Sequence, residues 1–333
     1  MKFRYILAAI IISVFLPVLT ACLASSDKGH ISRTALYFDT AVTIDVYGAD
    51  DEALSAVAEE CMNLCAHYEK LFNKNDPESD IALINQATGT VKVDHDTALL
   101  ISDSLRYCEL SGGLFDITVK PLTDLWDFHE ANAAIPDKDE VADKCRLIDY
   151  RNVSVDTTNN TVTLKDSAID PGGSAKGYIA NRIAHYIMST DATGAIINIG
   201  GDIQTVGTKS DGKPFTIGIR DPFNKNDVLL PLELSDRAVA TSGVYERCFY
   251  VGNKRYHHIL DTATGYPADT DIESVTVITA DALSADCLCT ICILYGSTKA
   301  MNFIEEVNDT EAIFVLSDGS VMMTAGADKY IRQ

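Results

Sequence analysis

Three short stretches of this chain carry residue types that could do chemistry. The first runs Ile169-Asp170-Pro171-Gly172-Gly173-Ser174-Ala175-Lys176-Gly177-Tyr178, a glycine-rich turn with a lysine leading into a helical pattern. Turn N–H groups, a helix N-terminus and a lysine all attract phosphate. The same residues equally fit a helix-start turn with a solvated lysine. Neither familiar nucleotide motif is present: Lys176 precedes Gly177 with no Ser or Thr after it, and the glycines lack the G-x-G start.

The second stretch holds Asp286 and Thr290, four residues apart in a helical pattern. That spacing projects a carboxylate and a hydroxyl from one face, and hard oxygens so placed suit Mg²⁺, which takes few protein ligands. A solvent-facing Asp and a Thr bonded back to its own helix would look the same. The third stretch is His257-His258-Ile259-Leu260-Asp261, followed by Thr264-Gly265-Tyr266-Pro267. Successive strand residues point to opposite faces, so only one histidine can face a given cleft. There it could act as a general base; two half-exposed strand histidines are the alternative.

Positioning these groups requires an alternation of helices and strands. Residues 34–48 alternate like one strand, and residues 51–71 place apolar side chains at helical spacing. A short helix follows from about Ser79. Another is capped by Asp94 or Asp96 and stopped by Gly112-Gly113. Residues 114–128 read as a strand-like entry into a loop bearing the single tryptophan, Trp126. Thr158-Asn159-Asn160 signals a hairpin, residues 178–189 a helix, and residues 194–207 a strand broken at Gly200-Gly201. Strands follow around residues 214–222, 238–261 and 273–280, then a helix over 281–297 and a hairpin at Asp318-Gly319. No repeat or long linker divides the chain, so a single α+β domain is expected, open to division into two lobes.

With 333 residues, 47% hydrophobic and 23% charged, the chain can bury a sizeable core, and its formal net charge of −21 disfavours nucleic acid as a partner. Residues 1–21 have Lys2 and Arg4 ahead of an apolar run too short to span a bilayer stably. Leu19-Thr20-Ala21-Cys22 resembles a bacterial lipobox, with cleavage before Cys22 and lipids on that cysteine. An ordinary secretory signal is the plainer reading of the same residues. Residues 22–33 then form a lipidated cysteine and polar tether, and residues 34–333 the folded domain. The other eight cysteines lie mostly in apolar, helix-like stretches, so buried thiols are expected rather than disulfides.

Seven segments occur in order: GGLFDITVKPL, IDPGGSAKGY, INIGGDI, IGIRDP, TSGVYER, HILDTATGYPA and SVTVITADALSADCLCT. Together they resemble the ApbE family of FAD:protein FMN transferases, over essentially all of residues 34–326. The resemblance implies an ApbE-like α+β domain with mixed or antiparallel sheets flanked by helices around a flavin cleft. It implies Mg²⁺-dependent transfer of FMN from FAD to a Thr or Ser hydroxyl of an acceptor protein, with AMP released. Asp286, Thr290 and the Gly173 carbonyl fall on the metal positions. Asp170 and Lys176 match FAD contacts, as do Leu114, Phe115 and Asp116, and Phe38 falls where the first strand meets the flavin. His258 matches the histidine that activates the acceptor hydroxyl. Acceptors would carry a D-x-x-[ST]-G-A-[ST]-like motif within extracytoplasmic electron-transfer complexes, and the enzyme would be lipid-anchored to the bacterial cell membrane on that side.

Three departures from the family pattern stand out. Thr262 replaces a proline in the turn after Asp261, where it would loosen the turn. Pro171 removes one N–H from the glycine-rich loop, and Asn75 stands where many relatives carry an aromatic. Two other functions use the same residues: an FAD pyrophosphatase giving FMN and AMP, and a flavin-binding lipoprotein without turnover.

Overall fold

The computed structural model describes residues 23–27, 29–126, 128 and 133–332; the leader and Cys22 lie outside the described residues. The chain opens with strands β1 (Leu23–Asp27), β2 (His30–Tyr37) and β3 (Thr40–Tyr47). Helices α1 (Asp51–Phe72) and α2 (Asp80–Gln86), strand β4 (Thr90–Lys92), and helices α3 (His95–Leu110), α4 (Lys120–Trp126) and α5 (Lys138–Cys145) follow. Next come β5 (Val153–Asp156), β6 (Thr161–Leu164), α6 (Ala175–Met188), β7 (Gly194–Ile199), β8 (Asp202–Gly207), β9 (Phe215–Arg220) and β10 (Val228–Leu234). The rest is β11 (Ala238–Gly243), β12 (Cys248–Val251), β13 (Lys254–His257), β14 (Ile272–Thr279), α7 (Ala282–Tyr295), α8 (Ser297–Glu305), β15 (Glu311–Leu316) and β16 (Val321–Met323).

Nine strands form one sheet in the order β1-β2-β3-β7-β8-β11-β14-β15-β16, with every neighbour antiparallel. Side-chain alternation builds a core on each face. Ala240, Val275, Val277 and Phe314 point into the main core with α1, α6 and α7, while Val239, Ile278 and Ile313 point the other way, under the β9–β10 hairpin. Burial on both faces explains why every residue of β14 is buried. A third, smaller core gathers Leu122, Trp126, Val141, Tyr256 and Leu260. The domain is therefore α+β as expected, with a satellite core where a second lobe was anticipated.

Four expectations are corrected. Residues 34–48 are two strands of a hairpin, turning at Phe38 and Asp39 with φ of 56° each. That two-residue turn needs left-handed backbone, yet neither residue is glycine, so the usual signal was missing. Trp126 ends a helix, α4, and its indole N–H donates to Gly265 O at 2.7 Å. Helix α6 begins at Ala175, three residues early, so Lys176 belongs to the helix. Finally, Leu23–Asp27 pairs with β2 as an edge strand rather than hanging as a tether. Helices α5 and α8 and strand β10 were not anticipated; α5 has one buried side chain, Val141, so it carries almost no apolar stripe.

The eight cysteines other than Cys22 are free thiols: six are buried and Cys145 and Cys248 partly so. Burial pushes Cys61, Cys65 and Cys108 up to about 12, which makes them inert packing groups. Helix α7 is mostly apolar and buried, and it meets α6 at Gly177, where an added Cβ would lie 2.3 Å from Ala282 O. That contact sets how closely the two site-bearing helices approach. Gly177→Ala is expected to destabilise the protein by about 3 kcal/mol or more, since backbone must move to admit the methyl. Urea unfolding within 0.5 kcal/mol of the parent would show that the helices are free to separate.

Candidate active site

Four elements meet at one end of the sheet. Gly200 and Gly201, with φ of +63° and +103°, turn β7 into β8 and place Asp202 at the first position of β8. Helix α6 brings Lys176, and α7 brings Asp286 and Thr290. Lys176 Nζ donates to Asp202 Oδ2 at very short range and lies 3.4 Å from both Asp286 oxygens. Asp286 also accepts Gly177 N–H at 3.2 Å. Both carboxylates are buried, and a buried charge must be paired or hydrogen-bonded. Burial opposes the Lys176 ammonium, but Asp202 and then Asp286 outweigh it and hold the pKa above its usual value. Burial raises the Asp202 carboxyl, Lys176 pulls it back, and the net shift is upward.

Asp202 was not singled out from the sequence, where INIGGDI reads only as a tight turn. Its signal was a carboxylate directly after two glycines, a pattern too common to mark a site.

Gly173 lies against Phe115 and Thr290: an added Cβ would sit 3.0 Å from Phe115 Cε2 and 3.7 Å from Thr290 Oγ1. Thr290 Oγ1 makes no hydrogen bond among the described residues, so this threonine is not bonded back to its own helix. Asp286 and Thr290 stand one turn apart on α7 with Gly173 beside Thr290, and a carboxylate, a hydroxyl and a main-chain carbonyl are oxygen donor types that Mg²⁺ takes. Lys176 leans mainly on Asp202, which leaves Asp286 the weaker of its two partners.

The glycine-rich turn differs from an open phosphate loop. Gly172 N–H donates to Asp170 Oδ1, Ser174 and Ala175 N–H to Pro171 O, and Gly177 N–H to Asp286. Most of its donors are therefore spent inside the protein. Pro171 acts through its carbonyl, closing the first turn of α6. Asp170 is likewise engaged: its Oδ2 is paired with Lys74 and takes Thr123 Oγ1 at 3.3 Å. Lys74 is a further cation beside the turn that the sequence did not single out.

Asp116 is buried and consumed by Thr118 N, Thr118 Oγ1 and Tyr150 N at 2.7–2.8 Å, so its carboxylate braces the turn that presents Leu114 and Phe115. Burial leads the causes that raise its pKa. Phe38 sits at the tip of the β2–β3 hairpin, its N–H donating to Glu69 Oε1 at 3.1 Å. Thr262 does not loosen its turn, because its hydroxyl donates to Gly113 O at 3.0 Å and ties the segment to the Leu114 turn.

The two histidines separate as strand geometry requires. His257 is buried, with Nε2 hydrogen-bonded to Ala268 O at 3.1 Å. His258 takes the other face, where the charges of Arg247 and Lys176 reach its ring. Its Nδ1 is buried without a partner among the described residues, which leaves Nε2 on the open side. Burial first, and then Arg247, push His258 down to about 4. The ring is therefore neutral across ordinary pH.

An antiparallel α+β fold thus brings a buried, paired lysine and two carboxylates together, with a neutral imidazole within reach of the lysine's charge. The model of the ApbE family matches residues 38–314. A FAD:protein FMN transferase of Klebsiella pneumoniae strain 342 is 31% identical, over 90% of this chain and 93% of that protein. One of Treponema pallidum is 30% identical, over 94% and 91%. The crystal structure of the ApbE protein of Thermotoga maritima superposes with a TM-score of 0.84 at 32% identity, covering 91% of this chain and all of that one. The chain belongs to the ApbE family.

The depressed pKa of His258 carries a sign. An unfolded histidine takes up its proton near 6.5, the folded ring only near 4, so protonation below pH 6.5 favours the unfolded state. NMR titration of the His258 ring is expected to show no change from pH 8 to 6 and a midpoint near 4, with stability falling as the pH drops from 6.5 to 4 and levelling off below. A midpoint near 6.5 would mean that the ring is solvated.

Proposed function

We propose that this protein transfers the FMN moiety of FAD to a Thr or Ser hydroxyl of an acceptor protein and releases AMP. The observation that carries this reading is the convergence of Asp286, Thr290, Gly173 and Lys176 on one wall with His258 nearby, in a chain of the ApbE family. A site that only bound flavin would need neither hard oxygen donors nor a neutral base.

Asp286, Thr290 and the Gly173 carbonyl would hold Mg²⁺, which supplies charge neutralisation to the pyrophosphate. Phe115 and Leu114 would line the flavin side, with Phe38 at the hairpin tip above it. Asp202 keeps Lys176 charged and fixed in place. The neutral His258 ring takes the hydroxyl proton at Nε2 as the acceptor oxygen attacks the phosphorus on the FMN side. The bond to the AMP phosphate then breaks, and AMP carries away the electron pair. Water in place of the acceptor would give FMN and AMP from the same site.

The reading includes an extracytoplasmic location, with the chain anchored through lipids on Cys22 and acting on electron-transfer proteins that bear a D-x-x-[ST]-G-A-[ST]-like motif. Cys22→Ser is expected to move the protein from the membrane to the soluble fraction; continued membrane retention would remove the anchor.

The decisive experiment incubates the chain with FAD, Mg²⁺ and a motif-bearing acceptor. Mass spectrometry is expected to show the acceptor gaining FMN, with AMP released in equal amount. Free FMN without adduct would make the protein a hydrolase, and intact FAD would leave it a binder. Asp286→Ala is expected to lower turnover at least a hundredfold, and full Mg²⁺-dependent activity in that variant would sink the metal assignment.

A further inference from the structure

On a chain with a net charge of −21, cations are readily matched by carboxylates. Arg182 pairs with Asp96, Arg220 with Glu246, Arg237 with Asp309 and Arg255 with Glu273. Arg247 is exposed and has no ion pair among the described residues. Its neighbours are already engaged: Glu246 with Arg220, and Lys225 over the Tyr245 ring at 5.2 Å.

The position of Arg247 is fixed by the β12–β13 hairpin. Cys248 opposes His257 in that ladder, and His258 N–H donates to Arg247 O at 3.0 Å, which continues the pairing by one residue. Arg247 and His258 are therefore backbone neighbours at the open end of the hairpin, just beyond the last paired residues Cys248 and His257, and the Arg247 charge reaches the His258 ring. Lys176 acts on the same His258 ring, but its charge is balanced by two buried carboxylates. Arg247 reaches the same ring and has no carboxylate partner among the described residues.

We infer that Arg247 is a phosphate-binding residue of this site, its guanidinium holding non-bridging oxygens of the FAD pyrophosphate on the side where His258 meets the acceptor. This inference rests on the function proposed above. A planar guanidinium can take two phosphate oxygens at once and keeps its charge at every working pH, which suits it to a diphosphate. It complements the opposite wall, where Asp286 and Thr290 offer oxygens and Lys176 is already paired.

The test compares FAD with riboflavin, which shares the ring system but has no phosphate. Both are titrated into the protein by flavin fluorescence, with and without Mg²⁺. Charge-assisted hydrogen bonds of this kind contribute roughly 1.5–3 kcal/mol, so Arg247→Gln is expected to weaken FAD binding about tenfold or more while riboflavin affinity stays unchanged. Arg247→Lys is expected to recover part of the loss. Arg247 is exposed, so neither change removes core packing. Unchanged FAD affinity in Arg247→Gln overturns this assignment alone. An equal loss for riboflavin also overturns it, by placing the side chain against the ring. If the parent chain bound no FAD, the proposed function would fall and this inference with it.

Discussion

The Lys176 ammonium lies between the carboxylates of Asp202 and Asp286, and the three groups come from α6, the start of β8 and α7. Two buried carboxylates facing each other would repel and take up a proton; the lysine between them keeps both in place. Its presence requires α6 and α7 to approach until Gly177 touches the Ala282 backbone. It also requires the β7–β8 turn to end where Asp202 can reach. The position of Thr290 beside Gly173 follows from the same helix contact, one turn further along α7.

Around this interaction the site divides into walls of different chemistry. One presents Asp286, Thr290 and the Gly173 backbone, all hard oxygens. The Leu114–Phe115 turn is apolar, and its supporting carboxylate, Asp116, is spent on bracing it. The third group is His258, which follows the β12–β13 hairpin beside the backbone of the exposed Arg247. Such a division suits a ligand with a flat apolar end and a charged middle. Within the site the acidic groups are paired, Asp170 with Lys74, and Asp202 and Asp286 with Lys176.

Much of the fold was legible because its signals are local. The helix starts at Ser79 and Asp94, the apolar spacing of α1 and the turns at Asn159-Asn160 and Asp318-Gly319 each depend on neighbours in sequence. Where local signals were absent the reading failed. The Phe38-Asp39 turn has left-handed backbone without glycine, and α5 is almost wholly polar. Residues 114–126 look extended by composition, yet α4 forms because Leu122 and Trp126 are captured by the satellite core.

The sequence by itself determined the chemical inventory: a carboxylate and hydroxyl four apart on a helix, a histidine pair on a strand, a glycine-rich turn with a lysine, and the order of segments that marks the family. Residue types and short spacings survive in any fold, so these could be read directly. Only the tertiary structure decided which groups are spoken for. It turned the glycine-rich stretch from an open phosphate loop into a helix start whose donors are mostly spent within the protein, and it tied Asp170 to Lys74 and Lys176 to Asp202. It separated the two histidines, hydrogen-bonding His257 to Ala268 O and leaving His258 within reach of the charges of Arg247 and Lys176. Those outcomes depend on contacts between residues far apart in the chain, and no local pattern encodes which partner a charge will find.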